Sequence, residues 1–266
     1  YSIAIGISMA ATAMVARRVG EKNYDAAAKA GAQAALLSFV FILLISLTGF
    51  FFSDRVLGWM GGDATIISQG AAYTKIMLVG NGVIMLLFLL NGIFRGAGDA
   101  AIAMRSLWLA NTCNIILCPL LIHYYGLPGA AMATTTGRGI GVCYQLYRLF
   151  KGKGIIKIYL RHFIPDTTVL KPLFNIASTG TLQFLIGSAS WIAMARIVAG
   201  FGSDAMAGYT IAIRLIIFFI MPAWGLSNAA ATLVGQNLGA KQPERAEKSV
   251  WQTAKYNAIF MCIVSL

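Results

Sequence analysis

Eight long runs of apolar residues, separated by short polar interruptions, make up almost the whole chain: 2–19, 30–52, 65–94, 102–122, 128–150, 169–199, 205–238 and 246–266. A helix needs about 20 apolar residues to cross roughly 30 Å of hydrocarbon, and the runs are near or above that length. Within them the apolar residues do not keep to one face, and glycine and alanine recur. That is the pattern of helices bundled in a membrane, not of amphipathic surface helices. Short alternating strands, the mark of a membrane β-barrel, do not occur. The pattern predicts an all-α polytopic membrane protein.

Composition agrees: 58% of the 266 residues are hydrophobic and 11% charged, where a soluble domain carries about 25% charged residues. The chain opens inside an apolar run with no initiator Met, and its last run stops at 266 before completing a span, so it reads as a fragment whose ends say nothing about targeting. Cys113, Cys118, Cys143 and Cys262 all fall in apolar runs without metal-ligand spacing and read as packing residues. No metal site is expected. The two histidines, His123 and His162, fall in connections on opposite sides, which excludes a Ser/His dyad or an HExxH helix. GRGIG at 137–141 and KGKG at 151–154 match no phosphate-binding loop. The chain is therefore not expected to be an enzyme.

The net charge of +12 raises nucleic acid as a partner until the 21 Lys and Arg residues are placed. Fifteen lie in alternate connections: Arg17, Arg18, Lys22 and Lys29; Arg95 and Arg105; Arg148, Lys151, Lys153, Lys157, Arg161 and Lys171; Lys241, Arg245 and Lys248. The intervening connections, 53–65, 123–128 and 200–204, hold only Arg55. This bias puts the basic connections in the cytoplasm, and the charge reports topology and anionic lipid rather than DNA. The basic stretch KGKGIIKIYLRHFIPD at 151–166 is a linker between two halves, a loop lying on the headgroups, or both.

One segment occurs twice. GISMAATAMVARRVGEKN, from Gly6, is matched by GLSNAAATLVGQNLGAKQ, from Gly225, at a constant offset of 219 residues. Six crossings separate the copies, so both point the same way, as in transporters built from two similar bundles. Gly6, Ala10 and Ala13 share a helix face, matched by Gly225, Ala229 and Thr232, and such a face lets a neighbouring helix come close. Gly20 and Gly239 stand where a helix end favours a residue tolerant of positive φ.

GLSNAAATLVGQNLGAKQPERA, NGIFRGAGDA at 91–100 and YGLPGAAMATTTG at 125–137 resemble the signature segments of the multidrug and toxic compound extrusion (MATE) family, in order and spacing along nearly the whole chain. The resemblance implies two parallel-repeat six-helix lobes, both incomplete here. Residues 1–150 would be an N-terminal lobe lacking its first helix, 151–168 a cytoplasmic linker, and 169–266 the start of a C-terminal lobe. It implies a multi-pass transporter of the bacterial inner membrane, acting as a monomer. Such a transporter exports organic cations or other hydrophobic small molecules in antiport with H⁺ or Na⁺ by alternating access, with no other cofactor. A lipid or lipid-linked oligosaccharide flippase of the same broad superfamily is the alternative. Coupling calls for an intramembrane carboxylate, yet all nine acids fall in connections or at span ends, so the coupling residue is expected outside this sequence.

Candidates for lining a substrate cavity are Tyr73, Asn81, Asn175, Gln183, Trp191 and Asn228, each equally able to serve as a helix-to-helix hydrogen bond or interfacial anchor. Lys75 and Arg214 are basic residues deep in their runs, placed either at the cavity or snorkelling to the surface. Pro222 breaks the backbone ladder inside its run and is a hinge candidate.

Overall fold

The computed structural model describes residues 1–59, 64–151 and 154–265, which form nine α-helices and one 3₁₀ turn with no strand among them. The helices are α1 (Ser2–Gly20), α2 (Tyr24–Trp59), α3 (Ala64–Val79), α4 (Asn81–Gly96), α5 (Ala100–Tyr125), α6 (Leu127–Phe150), α7 (Thr167–Ala199), α8 (Ser203–Gly239) and α9 (Pro243–Ser265). The turn, Leu160–Phe163, lies between α6 and α7. Among the described residues, five helices are long and apolar enough to cross a membrane: α1, α2, α5, α7 and α8.

The single span expected at 65–94 is two helices instead, Ile67–Val79 and Asn81–Gly96, bent by 41° at Gly80. The bend brings a close contact with it, because a Cβ on Gly80 would stand 2.8 Å from Thr135 of α6. The run expected at 30–52 begins earlier and ends later. Asn23 caps α2 by accepting from the Ala26 amide at 3.0 Å, and the helix passes a kink at Phe52 to reach Trp59. Residues 53–59 of the expected outer connection are therefore helical, while 60–63, including Asp63, and Lys153 of the linker lie outside the described residues.

Helix α1 is the hub and touches α2, α4, α7 and α8. Small residues make this possible. Ala10, Ala11 and Ala16 of α1 and Ala27, Ala28, Ala30, Ala32 and Ala34 of α2 are all buried, so the two backbones approach closely after the turn at 21–23. Against α4, Ser8 Oγ donates to the Phe88 carbonyl at 2.7 Å and Thr12 Oγ1 to the Gly92 carbonyl at 3.0 Å. These are polar bonds of the kind that hold helices together where lipid offers no hydrophobic drive.

Helices α5 and α6 form a hairpin over Gly126, whose φ of +63° needs glycine. Two of the α6 glycines that match no phosphate loop lie in this contact, since a Cβ on Gly137 would stand 2.7 Å from the Ala110 carbonyl and one on Gly141 3.0 Å from the Ser106 carbonyl. Beside it, Gln145 Nε2 donates to Asn91 Oδ1 at 2.7 Å in a buried link between α6 and α4.

Two substitutions separate packing from propensity. A Cβ on Gly92 would stand 2.6 Å from the Ser8 carbonyl, whereas one on Gly139 would stand 4.0 Å from Val83. Gly92→Ala should destabilise the detergent-solubilised protein by about 1–3 kcal/mol, and Gly139→Ala should stabilise it by up to about 1 kcal/mol. Thermal unfolding of both variants in one detergent checks this.

Candidate functional site

The two copies of the repeated segment end α1 and α8, and their ends cross each other. A Cβ on Gly20 would overlap the carbonyl of Gln236, and a Cβ on Gly239 would overlap the carbonyl of Arg17. Adding the repeat offset to Arg17 and Gly20 gives Gln236 and Gly239, so each copy presents the same glycine to the same carbonyl of the other. At the centre of the crossing, Ala16 meets its own counterpart, Gly235, 2.8 Å from where a Cβ would stand. The contact is self-complementary, like an interface on a two-fold axis.

The turns that follow are also the same in both copies. Amides of Glu21, Lys22 and Asn23 donate to the carbonyls of Arg17, Val19 and Arg18, and amides of Ala240, Lys241 and Gln242 donate to those of Gln236, Leu238 and Asn237. The positive φ expected at Gly20 and Gly239 falls instead on Lys22 and Lys241, each at 57°. The glycines are the last helical residues, followed by Glu21 in right-handed helical conformation and Ala240 at φ -76° and ψ 5°, both at negative φ. Close approach of the two backbones, not turn geometry, therefore requires glycine at 20 and 239. Gln236 ties α4 into the crossing by donating to the Gly96 carbonyl at 3.1 Å.

The first glycines of the repeat behave differently. Gly6 and Gly180 meet where α1 crosses α7, and a Cβ on Gly6 would stand 2.6 Å from the Ala177 carbonyl. Gly225, the counterpart of Gly6, has nothing within 4 Å of its Cβ position among the described residues.

A cavity of about 1060 Å³ lies beside the crossing, between α1, α2, α7 and α8. Its α8 wall is Ala231, Val234, Gly235 and Leu238, and its rim carries Arg17, Arg18, Lys29 and Asp166. The counterparts of Ala231 and Val234 in α1 are Thr12 and Val15, buried where α4 packs. This wall is thus a helix-packing face by descent from the repeat. At the rim the Lys29 ammonium pairs with Asp166, and this bond together with those from Thr168 lowers the Asp166 pKa to about 2. Gln33 joins the same corner by donating to the His162 and Ile164 carbonyls, both at 2.8 Å, and accepting from the Asp166 amide at 3.1 Å.

The six cavity candidates do not converge, and none of them lines this cavity. Tyr73 is half-buried on α3, and Asn81 opens α4 with its Nδ2 buried and unpaired. Asn175, Gln183 and Trp191 lie on exposed faces of α7, and Asn228 donates to the Trp224 carbonyl one turn back at 2.9 Å. Lys75 is exposed, with its ammonium 4.6 Å above the Phe50 ring, and Arg214 is exposed on α8. Pro222 sits inside α8, which continues through it as one helix. Sequence reasoning passed over Ser8, Thr12, Gln33 and Gln236. The signal for the first two was their spacing of four on one helix face, a donor pair inside an apolar run.

The MatE family model matches residues 1–120 and 181–266. The FAD transporter of Shewanella oneidensis is 26% identical over 269 residues, covering 99% of this chain and 60% of that protein. The probable multidrug resistance protein NorM of Thermotoga maritima is 27% identical over 274 residues, covering 99% and 58%. A solved structure described as the outward-facing conformation of a multidrug resistance MATE family transporter of the MOP superfamily superposes with a TM-score of 0.91 at 25% identity, covering 99% of this chain and 60% of that one. The chain spans about three fifths of the length of these relatives.

Gly20→Ala and Gly239→Ala should each lower stability by about 1–3 kcal/mol. Both overlaps are relieved by one separation of α1 from α8, so the double variant should cost less than the sum, as thermal unfolding of the three variants will read. The Asp166 contribution has a definite pH sign. Its pKa is lowered from 3.8 to about 2 on folding, so the stabilisation is complete above 3.8 and is lost as pH falls through about 2. Hydrogen exchange of the linker amides should show no change from this group between neutral pH and the ordinary carboxylate range, and faster exchange below it.

Proposed function

The chain belongs to the MatE family, and from that premise we propose that it forms the larger part of an efflux transporter for organic cations or other hydrophobic compounds, working in antiport with H⁺ or Na⁺. It is a multi-pass integral membrane protein of the bacterial inner membrane. The reading divides it into a lobe at 1–150, a linker at 151–168 and the start of a second lobe at 169–266, acting as a monomer. Compounds would cross by alternating access between the lobes.

The observation that carries this is the reciprocal crossing of α1 and α8. There α1 and α8 meet glycine to carbonyl, with Gln236 also bonded to Gly96 of α4, at the end where Arg17, Arg18, Lys22 and Lys241 gather. Such a contact closes the cytoplasmic side when made, and rocking of the lobes would part it together with the α1–α7 packing at Gly6 and Gly180. Pro222 supplies the hinge within α8, by removing one backbone donor from the helix. On this reading Tyr73, Asn81, Asn175, Gln183, Trp191 and Asn228 would serve singly along a path between the lobes and not as one site, with Lys75 and Arg214 either at that path or snorkelling to the surface. Among the described residues the acids stand at helix ends or in connections, and the coupling carboxylate belongs to parts of the protein beyond this chain.

A second reading, an anionic cargo such as a lipid-linked phosphate or a dinucleotide, is favoured by Arg138. It lies mid-helix in α6, hydrogen-bonded to the Tyr1 hydroxyl at 3.0 Å, with no carboxylate partner among the described residues. The relative named as an FAD transporter points the same way.

Both readings are decided with the complete protein in proteoliposomes. A fluorescent lipophilic cation should move under an imposed pH gradient or an imposed Na⁺ gradient, and the gradient that works names the coupling ion. No movement of the cation under either gradient, with movement of FAD or a labelled lipid-linked anion, would replace the first reading with the second.

A further inference from the structure

The linker between α6 and α7 has two faces of opposite character. Its inner face is held to α2 by the three Gln33 hydrogen bonds, with Ile156, Ile158 and the His162 ring buried beneath it. His162 Nε2 also lies 3.1 Å from Asp25, and Arg161 pairs with the same carboxylate at 2.5 Å. This anchoring fixes which side chains face away from the protein. They are Leu160, 89% exposed, with Ile164, Phe150, Tyr159 and Ile155, each about half exposed or more.

Cations alternate with these apolar groups. Lys151 and Lys157 have no carboxylate partner among the described residues. Both stand on a groove of about 650 Å³ whose other walls include Phe150, Leu160 and Phe163. A face of large apolar side chains bordered by ammonium groups that no described carboxylate neutralises, Lys151 being held by the Tyr147 hydroxyl and ring, is complementary to one kind of surface, acyl chains beneath anionic headgroups. The linker also leaves α6 at Phe150 and enters α7 at Thr167, so it lies at the headgroup level of the leaflet those helix ends reach.

We propose that this linker is an interfacial strap that binds anionic phospholipid of the cytoplasmic leaflet, with Leu160 and Ile164 entering the acyl boundary and Lys151 and Lys157 holding lipid phosphate. The strap joins the two lobes, so the lipid bound there restrains their relative movement. The inference rests on the membrane placement of the chain and is independent of what the protein transports.

The test uses the complete protein in nanodiscs of phosphatidylcholine alone and of phosphatidylcholine mixed with phosphatidylglycerol. Leu160→Cys, in a background with every native cysteine of the complete protein replaced by alanine, carries an environment-sensitive fluorophore. Lipid spin-labelled near the headgroup should quench it, more strongly with phosphatidylglycerol present, and Lys151→Gln and Lys157→Gln should each weaken that lipid preference about fivefold.

Quenching by aqueous iodide in both lipids would overturn the proposal, and so would a probe shielded from water and lipid alike, which would mean that protein covers the face. Equal lipid quenching in the two nanodiscs would overturn the anionic specificity. Should the labelled variant fail to fold, hydrogen exchange of the unmodified protein decides the matter. Linker amides should exchange several-fold more slowly with phosphatidylglycerol present, and identical rates in the two lipids would sink the idea.

Discussion

Helix α1 cannot move without disturbing four neighbours, because its contacts are made at backbone distance. Gly92 and Gly96 of α4, Gly180 of α7 and Gly235 and Gly239 of α8 all stand where a side chain would meet α1 atoms. In hydrocarbon there is little to gain from burying one apolar surface against another, since lipid is as apolar as leucine. Helices associate through close van der Waals contact and hydrogen bonds between them. Ser8 and Thr12 use the closeness that Gly92 permits, reaching carbonyls of α4 that longer side chains would hold out of range. The remainder of the described fold hangs on this hub, including the bend at Gly80 that aligns α4 with it.

The same closeness recurs at the two ends of α1. Toward its start, Gly6 and Gly180 press α1 against α7 while α4 grips the opposite side, and the contact extends along the helix. Toward its end, α1 crosses α8 in a reciprocal contact that runs from Ala13 to Glu21, with Ala16 and Gly20 set against Gly235 and Gln236 and Arg17 against Gly239. The linker adds a third element, fixed to α2 by Gln33 and to the start of α7 by the Lys29–Asp166 pair, so α7 is tethered to the first half of the chain at both the crossing and the strap.

Much of this was legible in the sequence, and the part that was not has a common cause. The apolar runs announced the helices, since a membrane span must satisfy its own backbone hydrogen bonds and so cannot be much else. Their ends were legible less well. The run from 65 to 94 is interrupted at Gly80-Asn81-Gly82, a turn signal that the apolar count passes over, and the structure bends there with Gly80 packed against Thr135. Gly20 and Gly239 were visible as paired glycines, but their purpose was misplaced. A glycine at a helix end most often serves a turn, and nothing local reveals a partner 216 residues away. The polar candidates Asn175, Gln183 and Asn228 were chosen by residue type alone, and type does not say which face of a helix looks inward when all faces are apolar.

The sequence by itself determined the class of the molecule, its helices and the existence of a repeat, because hydropathy and similarity are summed along the chain and need no knowledge of distance. Only the tertiary structure decided that the two copies touch each other, that Lys22 and Lys241 carry the strained backbone while the glycines carry the contact, and that Gln33 holds the linker in place. Each of those is a relation between residues far apart in the chain. Its energy depends on separations of a few ångströms between backbones, which no residue encodes until its neighbour is in position.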